Sequence, residues 1–326
     1  MARLATSNPK RALICGSLAY DSIMVFQGRF KDHILPDKLD SLALSFLVES
    51  MTKHRGGVAP NIGYTLALLG EHPAILATAG HDFGDYREWL ESVGVDTRPV
   101  KIIHEVFTAS FFAGKDRING QIALFYPGAM GHAAEVSFSD LGYQPDFAVI
   151  SPDDPDAMNK HLRECLDLGI PYAYDVSWQL ARLPAAEILE GVLGCRMLVV
   201  NDYEMGMITD KTGMLETDPR LADKIVAVTR GENGATIYAA GERYNIPVVV
   251  PRQIMDPTGA GDAFRGGLLR GMAAGWDWAI SGRMGALAAT YCLEVLGPQT
   301  FTYSRAEFVA RYRENFDDNG VLDGLL

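Results

Sequence analysis

Four short runs of this chain are apolar from end to end: Ala12-Leu13-Ile14-Cys15, Phe147-Ala148-Val149-Ile150, Met197-Leu198-Val199-Val200 and Ile225-Val226-Ala227-Val228. A strand with one wet face alternates polar and apolar side chains, whereas a run without polar positions reads as a strand covered on both faces. Helical spacing appears between the runs, for example over residues 61–69 and 159–168. Strand, helix and strand in turn build βαβ units. The expected fold class is therefore α/β: a mostly parallel sheet between two helix layers. The 326 residues are read as one domain of this kind.

Two regions depart from the pattern. Residues 22–53 alternate more and carry Gly28 and Pro36. Residues 105–126 read as a hairpin, with Phe107-Thr108-Ala109-Ser110-Phe111-Phe112 and Gln121-Ile122-Ala123-Leu124-Phe125 on either side of the turn signal Asn119-Gly120. Together they predict a small second sheet, a lid. Phe26, Phe30, Leu44 and Phe46 would give that sheet an apolar face in need of cover, which predicts a homodimer. Val248-Val249-Val250 reads as a further strand, and the residues after Asn315 as a loosely ordered tail.

Charge narrows the partners. A formal net charge of -12 and a pI near 5.0 repel a phosphate backbone at long range, so no nucleic-acid partner is expected. A small anion remains compatible, because backbone amides hold it locally. Cys15, Cys165, Cys195 and Cys292 form no CxxC pair, which suits reduced thiols and a cytoplasmic location. Residues 1–11 lack an apolar core of the signal-peptide kind, and no apolar run reaches membrane-spanning length. The histidines show no HExxH spacing.

The strongest chemical signal is Asp256-Pro257-Thr258-Gly259-Ala260-Gly261-Asp262, which leads into a helical segment at 263–274. Glycines at 259 and 261 let the backbone approach a ligand, and the amides of residues 259–262 fall at a helix N-terminus, which favours an anion. A carboxylate at that point takes a proton from a hydroxyl attacking phosphorus. The plainer reading is a helix cap, for which Gly-Ala-Gly-Asp also serves.

This motif resembles the DTxGAGD turn of the ribokinase-like (PfkB) sugar and nucleoside kinases, with Pro257 as a departure at the second position. The family's Gly-Gly signature has its counterpart in Arg55-Gly56-Gly57-Val58-Ala59-Pro60-Asn61. The resemblance spans roughly residues 11–313 and implies a ribokinase-like three-layer sandwich with a β lid, ATP as phosphoryl donor and Mg²⁺ as cofactor. It also admits potassium, since some relatives bind a monovalent ion near the glycine turn. By resemblance Asp262 is the catalytic base, and the amides of Gly259, Ala260 and Gly261 stabilise the transferred group. Asn201-Asp202-Tyr203-Glu204 matches the NxxE motif, with Glu204 acting on Mg²⁺ indirectly. Without the resemblance Asn201 reads as a helix cap. Thr229-Arg230-Gly231-Glu232-Asn233-Gly234 matches the TxGxxG turn on the nucleotide side. Asn201, Thr229, Gly231 and Gly234 are thus the expected ATP contacts.

Longer segments, such as His54-Arg55-Gly56-Gly57-Val58-Ala59 and Phe125-Tyr126-Pro127-Gly128-Ala129-Met130, are most similar to the bacterial adenosine kinases. That likeness implies an adenosine substrate. Asp21, Gly57 and Asn61 would hold sugar hydroxyls, Ser17 and Ser45 would touch the nucleoside, and Phe111 and Phe125 would sandwich the purine. The run 175–182 resembles the substrate loop, in which Gln179 is the expected contact; Trp178 stands where those enzymes carry Gln. Arg182 fits either a site near the transferred phosphate or the surface. A sugar kinase shares every catalytic residue and differs in the lid aromatics and pocket size. A dinucleotide-binding oxidoreductase needs G-x-G-x-x-G after the first strand, where this chain has Gly16-Ser17-Leu18-Ala19-Tyr20-Asp21. A nucleoside sensor without activity would have no use for Asp262.

Overall fold

The computed structural model describes residues 12–34, 43–118 and 120–326. Pro36 and Asn119 lie outside the described residues. In chain order the strands are β1 (Ala12–Cys15), β2 (Ala19–Phe26), β3 (Ser50–Gly56), β4 (Ala74–Leu76), β5 (Thr78–Gly80), β6 (Lys101–Ile103) and β7 (Ala109–Asp116). They continue with β8 (Gln121–Tyr126), β9 (Phe147–Ile150), β10 (Tyr172–Tyr174), β11 (Met197–Asn201), β12 (Ile225–Thr229), β13 (Ala235–Ala239) and β14 (Glu242–Ile246). The helices are α1 (Val58–Leu68), α2 (Gly84–Ser92), α3 (Pro155–Leu168), α4 (Ala185–Gly194), α5 (Asp202–Thr212), α6 (Ala260–Ala273), α7 (Trp278–Leu293) and α8 (Arg305–Asn315).

The expected α/β sandwich is present. Eight strands form the main sheet in the order β14-β13-β12-β11-β10-β9-β1-β4. Its pairs are parallel from β4 across to β12, and β13 and β14 close it antiparallel. The all-apolar runs are buried on both faces for the reason the pattern implied, since successive side chains point opposite ways. In β11, Met197 and Val199 join one core with Ile62 and Leu66 of α1 and Phe264 and Leu268 of α6. Leu198 and Val200 join another core with Met158 and Leu162 of α3, Ile188 of α4 and Ile208 of α5. Fully burying a Leu or Ile side chain stabilises the fold by about 1.5–3 kcal/mol, so both layers contribute to holding the sheet in place.

The second sheet also forms, in the order β3-β2-β7-β8. The hairpin pairs β7 with β8, and Phe111 lies directly opposite Phe125. Three expectations need correction. Residues 247–250 are not a strand. Val249 is buried and its carbonyl accepts from Thr290 Oγ1 at 2.9 Å, while Val250 is 77% exposed. The chain after Asn315 is packed rather than loose: Arg313 holds Asp318, and Leu322 and Leu325 are buried with Phe308 and Tyr312. Third, Phe26, Phe30 and Phe46 do not await outside cover. Their rings lie 4.9–5.4 Å apart and Phe30 is buried. Leu44 does remain exposed, and the other exposed apolar groups of this region include Leu47, Met51, Phe112, Ile122 and Leu124.

One packing detail fixes the glycine turn in space. A methyl group on Gly266 would lie 2.6 Å from Thr65 of α1, and one on Gly267 2.6 Å from the Met284 carbonyl oxygen of α7. These bare positions let α6 sit close against both neighbours, so its N-terminus is held by two helices.

Candidate active site

The C-terminal ends of the parallel strands, where open α/β sheets place their ligands, lead into a cavity of about 520 Å³. Gly259 N-caps α6 at φ +80°, a left-handed state suited to glycine. A side chain there would also strike Pro298 Cβ at 2.3 Å. The turn is braced by Asp256, whose carboxylate accepts from the Thr258 amide at 3.0 Å and the Gly297 amide at 3.2 Å. Ala260 N donates to the Pro257 carbonyl at 3.2 Å, a bond that an incoming anion would share or replace. Asp262, in the first turn of the helix, lines the cavity with its side chain 14% exposed.

Asn61 Nδ2 donates to Asp262 Oδ2 at 2.8 Å. Asn61 is itself fixed by Gln299, whose amide donates to Asn61 Oδ1 at 2.9 Å and to the Tyr86 hydroxyl. Tyr86 in turn donates to the Gly56 carbonyl at 2.8 Å. The two distant glycine motifs thus meet through one chain of hydrogen bonds. Burial pushes the Asp262 carboxyl up to about 6, opposed by Arg265 and by the Asn61 bond.

The Gly-Gly pair is required by close contacts. Gly57 has φ +91° and a Cβ there would lie 2.5 Å from the Ser17 carbonyl oxygen. A Cβ on Gly56 would lie 2.4 Å from Asp21 Oδ2. Asp21 lines the cavity, and burial, followed by the charge of Asp256, raises its carboxyl to about 6. Register places His54, Asp21, Phe111 and Phe125 in one row across the second sheet. Asp21, Phe111 and Phe125 line the cavity from that row.

Of the residues singled out in the sequence, Ser17, Asp21, Gly57, Asn61, Phe111, Phe125, Gly259 and Asp262 line this one cavity. Ser17 Oγ also accepts from the Val58 amide at the start of α1, at 3.3 Å. Two expected substrate contacts do not line it. Ser45 is exposed on a segment outside any strand. Gln179 is fully buried and donates to the Asp153 carbonyl. The neighbouring Trp178 takes that place instead: its ring is 6.3 Å from Phe125, edge to face, and 45% exposed toward the cavity. Ser177 before it holds φ +40°, a backbone state rare for a side chain with a Cβ. Arg182 is a surface residue.

Asn201 and Glu204 form a reciprocal capping box at the start of α5, Glu204 N to Asn201 Oδ1 at 2.7 Å and Asn201 N to Glu204 Oε2 at 2.8 Å. Thr229 is the register partner of Asn201 at the ends of β11 and β12. Gly231 and Gly234 both have positive φ, and Arg230 N donates to the Gly234 carbonyl at 2.7 Å. No group of three or more His, Cys, Asp or Glu among the described residues is arranged to hold a metal ion. No helix among them is long and apolar enough to cross a membrane.

A carboxylate set among helix-terminal amides, beneath a cavity with a second acid and aromatic walls, is the equipment of a phosphotransferase that acts on a hydroxyl group. Residues 18–304 match the pfkB family carbohydrate kinases, and the chain belongs to that family. It is 27% identical over 314 residues to a nucleoside kinase of Methanothermobacter thermautotrophicus, covering 94% of this chain and 96% of that one. The fold superposes on a Burkholderia thailandensis nucleoside kinase solved with inosine, with a TM-score of 0.83 and 35% identity over 94% of this chain and 98% of that chain. That kinase has also been solved in an ADP-inosine complex, with a TM-score of 0.80, 37% identity and 94% and 96% coverage. The adenosine kinase of Sinorhizobium meliloti shares the fold at a TM-score of 0.73 and 21% identity, covering 94% of this chain and 100% of that one.

Proposed function

We propose that this chain transfers the γ-phosphoryl group of ATP to the 5'-hydroxyl of a nucleoside, with adenosine the first candidate. The observation that carries this reading is the shared cavity: Asp21, Phe111 and Phe125 line it from one row of the second sheet, and Asp262 lines it from the start of α6. A vicinal diol matches the two oxygens of Asp21, and charge-assisted bonds of this type are the stronger kind. A purine is a flat apolar body, and Phe111, Phe125 and Trp178 offer it faces. The primary hydroxyl then points at Asp262. As its oxygen bonds to the γ-phosphorus, its proton passes to the Asp262 carboxylate and the bond to the β-phosphate oxygen breaks, releasing ADP. Amides of residues 259–262 meet the charge on the transferred group, so the chain contributes position and electrostatics. Asn201, Thr229, Gly231 and Gly234 stand on the nucleotide side. A Mg²⁺ would neutralise the phosphate charge. Such an ion keeps several waters and would be held chiefly by the phosphate oxygens, with Glu204 acting from a distance.

The relatives' substrates support a nucleoside over a free sugar. ADP release with ATP and Mg²⁺ should therefore be far faster for adenosine or inosine than for ribose or fructose. A preference for a free sugar would return the chain to the sugar-kinase reading.

The second sheet is read as a lid over this cavity and as a dimer surface. Strand β8 lies at the sheet edge, is exposed along its whole length, and carries Ile122 and Leu124 outward, the latter 71% exposed. An unprotected apolar edge of this kind recruits a second strand or face. Light scattering at micromolar concentration is expected to give a homodimer, and Leu124→Lys to weaken it. A stable wild-type monomer would contradict the pairing.

A further inference from the structure

Asp262 and Arg265 stand one turn apart on α6, and the geometry between them is unusual for an ion pair. Arg265 Nη1 lies 3.9 Å from Asp262 Oδ1, too far for a hydrogen bond, although both side chains are largely buried. What keeps the guanidinium back is Asp175, in the loop after β10, whose Oδ1 accepts from Arg265 Nη2 at 2.6 Å. Asp175 is 1% exposed and anchored by its own amide, which donates to the Ile150 carbonyl at 2.8 Å. The bareness of Gly261 belongs to the same arrangement, for a Cβ there would lie 2.8 Å from Arg265 Nη1. The two oxygens of Asp262 are thus treated differently. Oδ2 is held by Asn61 at 2.8 Å, while Oδ1 feels a positive charge without being hydrogen-bonded by it.

We propose that Arg265, held back by Asp175, is a positioning residue: it keeps Asp262 ionised while leaving Oδ1 free to accept the substrate's proton. This rests on the reading of Asp262 as the base. The charged groups facing Asp262 are Arg265 from its own helix, Glu204 from α5 and Asp21 from β2, with the Cys292 thiol of α7 also within its field. Those facing Arg265 are Asp175, Asp262 and Glu204. One guanidinium therefore serves several carboxylates. Burial raises both Asp175 and Asp262, and Arg265 is the influence that lowers both. Without the guanidinium, Asp262 holds its proton to higher pH. Without the Asp175 charge, the guanidinium is free to close on Oδ1, which lowers the Asp262 pKa and blocks the lone pair that must take the proton.

The two partners therefore predict opposite shifts. Single-turnover phosphoryl transfer from ATP to adenosine would be followed against pH for the wild type, Arg265→Gln, Arg265→Lys, Asp175→Asn and Asp262→Asn. In Arg265→Gln the acidic limb should move up by about one pH unit or more, the scale of a carboxylate losing an adjacent cation. Its plateau rate should fall about ten- to a hundredfold, as for a misplaced catalytic group. Arg265→Lys should recover most of the limb position but less of the rate. In Asp175→Asn the limb should move down while the rate falls. Nucleoside affinity, measured by calorimetry, should change little in all of them. A limb that stays in place in Arg265→Gln, or, if that variant does not fold, in both Arg265→Lys and Asp175→Asn with undiminished rates, overturns the proposal. Asp262→Asn separates the two readings. If it retains normal turnover, the assignment of the base fails; if it is inactive while the other limbs do not move, only the role of Arg265 fails.

Discussion

Replacing Asp262 by Asn should lower kcat about 10²- to 10⁴-fold, the range lost when a general base is removed. Nucleoside should still bind, because Asp21, Gly57 and the aromatic walls do not depend on that proton acceptor. The substitution keeps the side chain's shape and one oxygen, so the contact with Asn61 can persist while basicity is lost. In the wild type, Asp262 is pushed up to about 6 by burial, and the base works only when ionised. The rate should accordingly rise with pH through that region and level off above it. At saturating nucleoside, the part of this limb that belongs to Asp262 should vanish from the residual rate of the Asn variant, while any part due to Asp21 stays. A variant with near-normal turnover would show that the carboxylate is only a helix cap, the plainer reading of Gly-Ala-Gly-Asp.

Removing either Phe111 or Phe125 should cost nucleoside binding about 1–3 kcal/mol, or roughly ten- to a hundredfold in affinity, and leave ribose almost unaffected. The two rings are directly opposed register partners and Phe125 is 46% exposed, so truncation removes a wall of the cavity more than a piece of the core. Trp178, edge to face with Phe125, should show the same selectivity. Asp21 and Asn61 can meet the hydroxyls of either substrate and cannot supply it. Affinities of Phe111→Ala, Phe125→Ala and Trp178→Ala for adenosine and for ribose decide the matter. Equal losses for both would mark the rings as packing residues and favour a sugar substrate.

The fold was largely legible because four runs that became strands of the main sheet lack polar positions, the pattern of a sheet covered on both faces. The hairpin was legible for the complementary reason, a turn signal between two β-prone runs. Residues 248–250 were not: three valines satisfy the apolar rule, but β14 already forms the edge of the main sheet and only Val249 turns inward. At the site, the glycine turn could be read from its helix-terminal amides, whereas the Gly-Gly pair and Asn61 were read through the resemblance to the family's motif. Trp178 and Gln179 show the limit of that method. Adjacent residues on a short turn differ by which one faces the cavity, and Ser177 sets that choice with a backbone angle no composition rule foretells. Arg265, Tyr86 and Gln299 carried no signal, and Asp175 was visible only as the start of the 175–182 run, since their pairing joins elements far apart in the chain.

The most direct test of the central claim is the identity of the product. Purified protein incubated with Mg²⁺, adenosine and ATP labelled in the γ-phosphate should yield ADP and one new compound in equal amounts. Mass spectrometry and phosphorus NMR should identify that compound as adenosine 5'-monophosphate carrying the label. Label found only as inorganic phosphate, or transferred to ribose but not to adenosine under the same conditions, would contradict the account.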